Sequence, residues 1–312
     1  MATDVEYNLS IGEVARLTGV NPVTLRAWQR RFGLVTPQRT PKGHRLYSQE
    51  QVDEINEILH WLAQGVAISR VKPLLNQALS DAALISEEDS DWQQLQLGLD
   101  KAVLELKAVT LQQRLDELSS LYPMPLCGPQ LADWLQNLDN ILVQRVDGAL
   151  VRTWLQQQLQ HYLSQRCDSV MKQKPRNVLL LELGEQPAYQ TWLWQLALLA
   201  QGLLPQRFAL SDELDSLALV SDRLQPIAVL VLPAAHTHQS ALQQLDQLAE
   251  KLAIPVALGG PYAPLLRDSL QQQPQLALLS EITQLAQWPT PTAVTAAASH
   301  HAPATQVNEE CV

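Results

Sequence analysis

The sequence predicts an α+β multidomain protein. An N-terminal winged helix-turn-helix is followed by a central helical bundle and a C-terminal doubly wound α/β unit of Rossmann-like type. Three observations carry this reading. Two short, capped helix patterns joined by a Gly turn open the chain. A Leu/Gln-rich stretch with helical periodicity fills its middle. Short apolar runs alternating with helical segments occupy its last third. The 312 residues, 46% of them hydrophobic, suffice for more than one core. The texture divides them into residues 1–77, a small, polar and acidic linker at 78–90, a bundle at 91–174, the α/β unit at 175–288, and a Thr/Ala/Pro/His-rich tail at 289–312 expected to be disordered.

Each element follows from local chemistry. Ser10 and Glu13 have the spacing of a capping box for a helix over Ile11–Leu17, which Gly19 ends. Asn21-Pro22 opens a second helix, Val23–Arg31, stopped at Phe32-Gly33. Leu34–Tyr47 reads as strand-turn-strand with its tip at Thr40–Gly43. Ser48 and Gln51 cap a third helix, carrying Val52, Ile55, Ile58, Leu59 and Leu62 at helical spacing. Gly65 breaks it, and Ile68–Leu75 adds a turn and a helix. The middle region reads as three or four helices, with turns at Leu121–Pro129 and Asp147-Gly148. Strands are predicted at Val178–Leu183, Arg207–Leu210, Ile227–Leu232, Pro255–Leu258 and Leu276–Leu279, with helices of about 12–16 residues between them.

Net charge is −10, which taken alone argues against a nucleic-acid binder. The distribution reverses that inference. Residues 9–48 carry +6 and the remainder −16, so a small basic module is attached to a large acidic one. The second helix presents Asn21, Thr24, Arg26, Gln29, Arg30 and Arg31, where a helix-turn-helix meets base edges in the major groove. Asn and Gln suit adenine; Arg suits guanine or phosphate. Arg39, Lys42, His44, Arg45 and Tyr47 on the following hairpin suit phosphates beside the groove. Leu25 and Trp28 are expected to pack the small core.

The order of these residues resembles the winged-helix domain of MerR-family transcriptional regulators over residues 9 to about 76. The wording Arg26-Ala27-Trp28, Arg31-Phe32-Gly33 and Gly43-His44-Arg45-Leu46-Tyr47 is similar to the MlrA/CarH-type branch. The resemblance implies operator contacts from Arg16, Thr24, Arg26 and Arg31 on the helices, and from Arg39, His44, Arg45 and Tyr47 on the wing. It also implies double-stranded promoter DNA, a homodimer and RNA polymerase as partners, with activation or repression as the outcome.

The C-terminal order, bundle then sheet, resembles the cobalamin-binding module of the same branch. Such modules place an acid-x-His-x-x-Gly loop after the first strand, and its imidazole ligates cobalt. Here Glu185 keeps the acid, but Pro187 stands at the His position and Gln190 at the Gly position. Proline has no side-chain ligand, so no cofactor is expected. Gly259 and Gly260 after the fourth strand match the pattern; Leu232–Ala235 after the third does not, and Arg152–Trp154 stands near where the bundle would carry a Glu-His pair. His236 and His238 follow the third strand, where ligands of such sheets bind, and are read as loop or helix-start residues.

Catalysis is not assigned: no nucleophile–base pair, phosphate loop or paired acids emerge, and Glu87–Asp89 in the linker read as solvated. Cys127, Cys167 and Cys311 have no paired spacing, so neither a disulfide framework nor a metal site is expected; Cys127 and Cys167 read as buried small residues. The opening residues lack a signal-peptide pattern, and no apolar stretch spans a bilayer, so a cytoplasmic location without membrane contact is expected. The resulting expectation is a DNA-binding regulator of MlrA type whose acidic half answers to a regulatory signalling protein. By resemblance, that control belongs to biofilm, envelope or cyclic-di-GMP-linked regulation. The alternatives are a cobalamin-dependent light-sensing repressor of CarH type, and a protein-interaction adaptor without specific DNA reading.

Overall fold

The computed structural model describes residues 7–75, 91–210 and 214–288. The linker 78–90 with Glu87–Asp89, and the tail with His300, His301 and Cys311, lie outside the described residues.

The described residues open with β1 (Tyr7–Ser10), an element absent from the expectation because an alternation only four residues long gives little signal. Helices α1 (Ile11–Thr18) and α2 (Pro22–Phe32) follow. Both α1 capping-box bonds form: the Ser10 amide donates to Glu13 Oε2 at 2.7 Å, and the Glu13 amide donates to Ser10 Oγ at 3.3 Å. Asn21 Oδ1 accepts the Val23 amide at 2.8 Å, with Pro22 in the first helical position. Strands β2 (Gln38–Arg39) and β3 (Arg45–Ser48) form the wing, and β3 sits between β1 and β2 in an antiparallel sheet. At the tip, Thr40 Oγ1 and the Thr40 carbonyl accept the His44 and Gly43 amides, and Gly43 takes φ 84°. Helices α3 (Gln49–Ala63) and α4 (Ile68–Val71) complete the module.

Four helices form the bundle: α5 (Asp91–Leu104), α6 (Ala108–Leu121), α7 (Met124–Val143) and α8 (Gly148–Met171). Leucines at three- and four-residue spacing point inward, among them Leu95, Leu99, Leu111, Leu115, Leu118, Leu131, Leu135 and Leu138. The turn expected across Leu121–Pro129 is shorter, because α7 starts at Met124 and runs through Pro129. Pro129 is the sixth residue of that helix, and with no amide it leaves the Pro125 carbonyl without its intrahelical donor. Gly148 opens α8 hard against the preceding turn; a Cβ there would lie 1.7 Å from the Leu142 carbonyl oxygen.

Then β4 (Arg176–Leu183), α9 (Gln190–Ala200), β5 (Leu203–Leu210), α10 (Leu217–Leu224), β6 (Ala228–Leu232), α11 (Gln239–Leu252), β7 (Val256–Leu258), α12 (Arg267–Leu270) and β8 (Leu276–Leu278) build a parallel sheet in the order β5-β4-β6-β7-β8. Its central strands are continuously apolar because both faces are covered. On one face Leu179, Leu181, Val229 and Val231 meet Leu217, Leu242 and Leu245. On the other, Val178, Leu180 and Leu230 meet Trp194, Ala197 and Leu198 of α9, with Leu285 and Trp288 beyond. Helices α10 and α12 are shorter than the expected 12–16 residues, at 8 and 4. α9 also packs against α7 and α8, so one apolar cluster runs from Val14 of α1 through the bundle to Leu199. Among the described residues no helix is long and apolar enough to cross a membrane.

Candidate nucleic-acid interface and ligand crevice

The structure sorts the residues predicted to meet DNA into three groups. Arg16, Arg26, Arg30 and Arg31 on the helices, and Arg39, Lys42 and His44 on the wing, are exposed. Gln29 and Arg45 are half-buried and joined by a 3.3 Å bond from Arg45 Nε to Gln29 Oε1, which ties the wing to α2. Asn21, Thr24 and Tyr47 do not stand free. The Tyr47 ring is buried beneath the sheet, and burial pushes its phenol up against the opposing pull of Arg45 and Arg26. Its expected place at the surface is therefore corrected: burial rises along β3 toward Ser48, and Tyr47 belongs to the same apolar cluster as Trp28 and Ile55.

Thr24 is 1% exposed and donates to the Ser119 carbonyl at 3.3 Å. Asn21 Nδ2 donates to the Ala200 carbonyl at 2.7 Å. Trp28 is wholly buried in the core, as expected, yet its indole N–H leaves the small module to reach the Leu121 carbonyl at 2.8 Å. The base-reading end of α2 is thus docked on α6 and α9, an arrangement with no signature in the sequence of the first 77 residues.

The second candidate region lies at the carboxyl ends of β4 and β6, where the strand order reverses and ligands of open α/β sheets bind. Here the side chains close the crevice. Gln186 reaches from the loop after β4 and donates through Nε2 to the Leu232 and Pro233 carbonyls at 3.1 and 3.2 Å. Glu185 is exposed, while Pro187 and Gln190 are half-buried beside it. Trp194 lies against the glycine pair: a Cβ on Gly259 would sit 2.7 Å from the indole, and one on Gly260 would be 3.9 Å from its nitrogen. The retained glycines therefore make room for a tryptophan. Cobalamin does not fit these residues, since Pro187 offers no ligand and the indole fills the space beside the glycines.

Where the bundle meets this loop, Arg152 Nε bonds Asp139 Oδ1 at 2.7 Å. Tyr189 lies against that pair in the left-handed conformation, φ 67°, and burial, reinforced by Asp139 and opposed by Arg152, pushes its phenol up to about 12. Beneath the crevice Glu182, 4% exposed, accepts from Thr191 Oγ1 and from Arg207 Nη2 at 2.8 Å. The sequence signal for this cluster was a lone acid within the Leu179–Leu183 run. His236 and His238 are exposed, in the loop and at the start of α11. Among the described residues no group of three or more His, Cys, Asp or Glu could hold a metal ion. Cys127 is buried with its thiol pushed up to about 12, whereas Cys167 is only half-buried.

Comparison with known proteins bears mainly on the first module. Residues 9–78 match the profile of the MerR HTH family regulatory protein. The HTH-type transcriptional regulator MlrA of Salmonella typhimurium (strain SL1344) is 52% identical over 87 residues, 28% of this chain and 33% of the relative. The HTH-type transcriptional repressor CarH of Myxococcus xanthus is 39% identical over 74 residues, 24% of this chain and 25% of that protein. The matches thus span about a third and a quarter of these relatives. A novel cobalamin-binding protein from Desulfitobacterium hafniense DCB-2 superposes with a TM-score of 0.35 at 12% identity, covering 63% of this chain and 93% of that one.

Proposed function

Residues 9–78 being a MerR-type helix-turn-helix domain, we propose that the chain is a sequence-specific transcriptional regulator of MlrA type. One observation carries this reading. The capped α1–turn–α2 unit and its wing hold Arg16, Arg26, Arg30, Arg31, Arg39, Lys42 and His44 in solvent, inside a chain that is otherwise acidic. Cations so placed release counterions from DNA and fix the register of a reading helix. The chain works as a homodimer on promoter DNA in the cytoplasm, acting on RNA polymerase. Its acidic half answers to a regulatory signalling protein, of the biofilm, envelope or cyclic-di-GMP-linked kind, rather than to cobalamin. The filled crevice beside Gly259 supports that last choice.

Selection of duplexes from a randomised pool by the full chain tests the reading. The expected result is an enriched inverted repeat, bound less tightly by the Arg45→Ala variant. A pool without enrichment, bound equally weakly by both proteins, would instead make the chain an adaptor. Incubation with adenosylcobalamin followed by gel filtration should leave no light-sensitive chromophore on the protein. A bound chromophore would restore the light-sensing alternative.

A further inference from the structure

Residues three, four and seven apart share one side of an α-helix, and that spacing divides α2 into two stripes. The inner stripe holds Asn21, Thr24, Leu25 and Trp28. Leu25 and Trp28 are buried in the core, and Asn21, Thr24 and Trp28 donate to the carbonyls of Ala200, Ser119 and Leu121. The outer stripe, on the opposite side, holds Val23, Arg26 and Arg30, and all three are exposed, Val23 by 53%. Packing on the bundle therefore uses one side of α2 and leaves the other open. Gln29, tied to Arg45 of the wing, flanks the open side.

The N-terminal side chains of a reading helix meet the base edges. In the first turn of α2, Thr24 and Leu25 are buried and Pro22 is half-buried, so Val23 is the exposed side chain. An isopropyl group has no charge, donor or acceptor. It can neither hold a phosphate nor read a base by hydrogen bonding. The major-groove edges of the four base pairs present one apolar group, the C5-methyl of thymine. Valine against that methyl removes the apolar surface of both from water. Arg26 and Arg30, on the same stripe, have the donors that suit guanine or phosphate.

We propose that Val23 is a specificity-determining residue, which packs on the methyl group of one thymine in each half-site while Arg26 and Arg30 hold the stripe in the groove. The proposal rests on the DNA-reading assignment above and deepens it by naming a base and the residue that reads it.

The test takes the full chain and a duplex from the selection described above. Its thymines are replaced by deoxyuridine in symmetric pairs, one position per half-site, so that each duplex differs from the parent by two methyl groups. One such pair should weaken wild-type binding about ten- to twentyfold, roughly fourfold for each buried carbon. Val23→Ala removes the same contacts from the protein side. It should bind the parent duplex weaker by a similar factor and be insensitive to deoxyuridine at that pair, while responding as wild type at the other thymines. Alanine is a strong helix former and Val23 lies outside the core, so the variant should unfold with wild-type stability. Thr24→Val, on the inner stripe, should keep the wild-type pattern across all pairs. Identical deoxyuridine patterns for Val23→Ala and wild type would overturn the proposal and leave DNA reading intact. So would an enriched repeat without thymine, or a pattern altered by Thr24→Val and not by Val23→Ala. A selection without any enriched sequence would overturn the DNA-reading assignment as well.

Discussion

The wing keeps Arg39, Lys42 and His44 in solvent, whereas the crevice between β4 and β6 has closed over its own side chains. The difference is one of packing. A surface that works through solvated charge asks nothing of its neighbours, so its residues can be kept or lost without disturbing a core. A pocket for a large cofactor has no such freedom: left empty it forfeits the contacts of every lining group, and the cost grows with its volume. Trp194 beside Gly259 and Gln186 across the end of β6 occupy this space with the chain's own side chains. The contrast implies that substitutions in the crevice act on stability and those in the wing act on binding.

Trp194→Ala should give the largest effect, a loss of about 3–5 kcal/mol in denaturant unfolding, as for other buried aromatic truncations. A cost under about 1 kcal/mol would mean that the indole covers a groove meant for something else, and the contrast would fail. Arg207→Ala comes next. Among the described residues it leaves the buried Glu182 carboxylate with Thr191 alone as side-chain donor, and leaving such a group short of partners costs about 1–3 kcal/mol. Arg207 is itself 45% exposed, which favours the lower end. Unfolding unchanged from wild type would show the cluster to be dispensable.

The two regions were also unequally legible. Caps and turns depend on residues three or four apart, so Ser10, Gly19, Asn21, Gly33, Ser48 and Gln51 announced their helices locally. The parallel sheet could be read because strands buried on both faces are unbroken apolar runs. That Pro187 stands where the resemblance would put a ligating His was legible from sequence alone. What fills it could not be read, because Trp194 and Gly259 are 65 positions apart and nothing local joins them. The docking of Thr24 on Ser119 was invisible for the same reason: the acceptors are backbone carbonyls, which carry no residue-type signal. Tyr47 was misplaced because nothing within a four-residue strand tells which of its side chains the rest of the module covers.

In the wing the sign of the contrast reverses. Lys42→Ala should leave unfolding within about 0.5 kcal/mol of wild type, since the side chain is exposed at the tip. It should also lower the slope of log K against log salt by about one, the contribution of a single phosphate contact. A changed unfolding midpoint with an unchanged salt slope would place Lys42 on the packing side and erase the distinction.

The smallest effect compares the two capping boxes of the reading module. The α1 box uses a carboxylate, Glu13, and the α3 box uses neutral Gln51, whose Oε1 accepts the Ser48 amide at 3.2 Å. The bond from the Ser10 amide, then that involving the Ser10 side chain, holds the Glu13 carboxyl below its ordinary value, with Arg16 adding to the effect and slight burial opposing it. A carboxyl lowered on folding lends stability that is fully present above its unfolded pKa and is lost as the pH falls through the folded one. Acid should therefore loosen the start of α1 before that of α3. Amide exchange at Ser10 should quicken on acidification relative to the intrinsic rate while that at Ser48 does not, and Glu13→Gln should abolish the difference. Equal responses at the two caps would show that the carboxylate adds nothing beyond the hydrogen bond that a glutamine supplies.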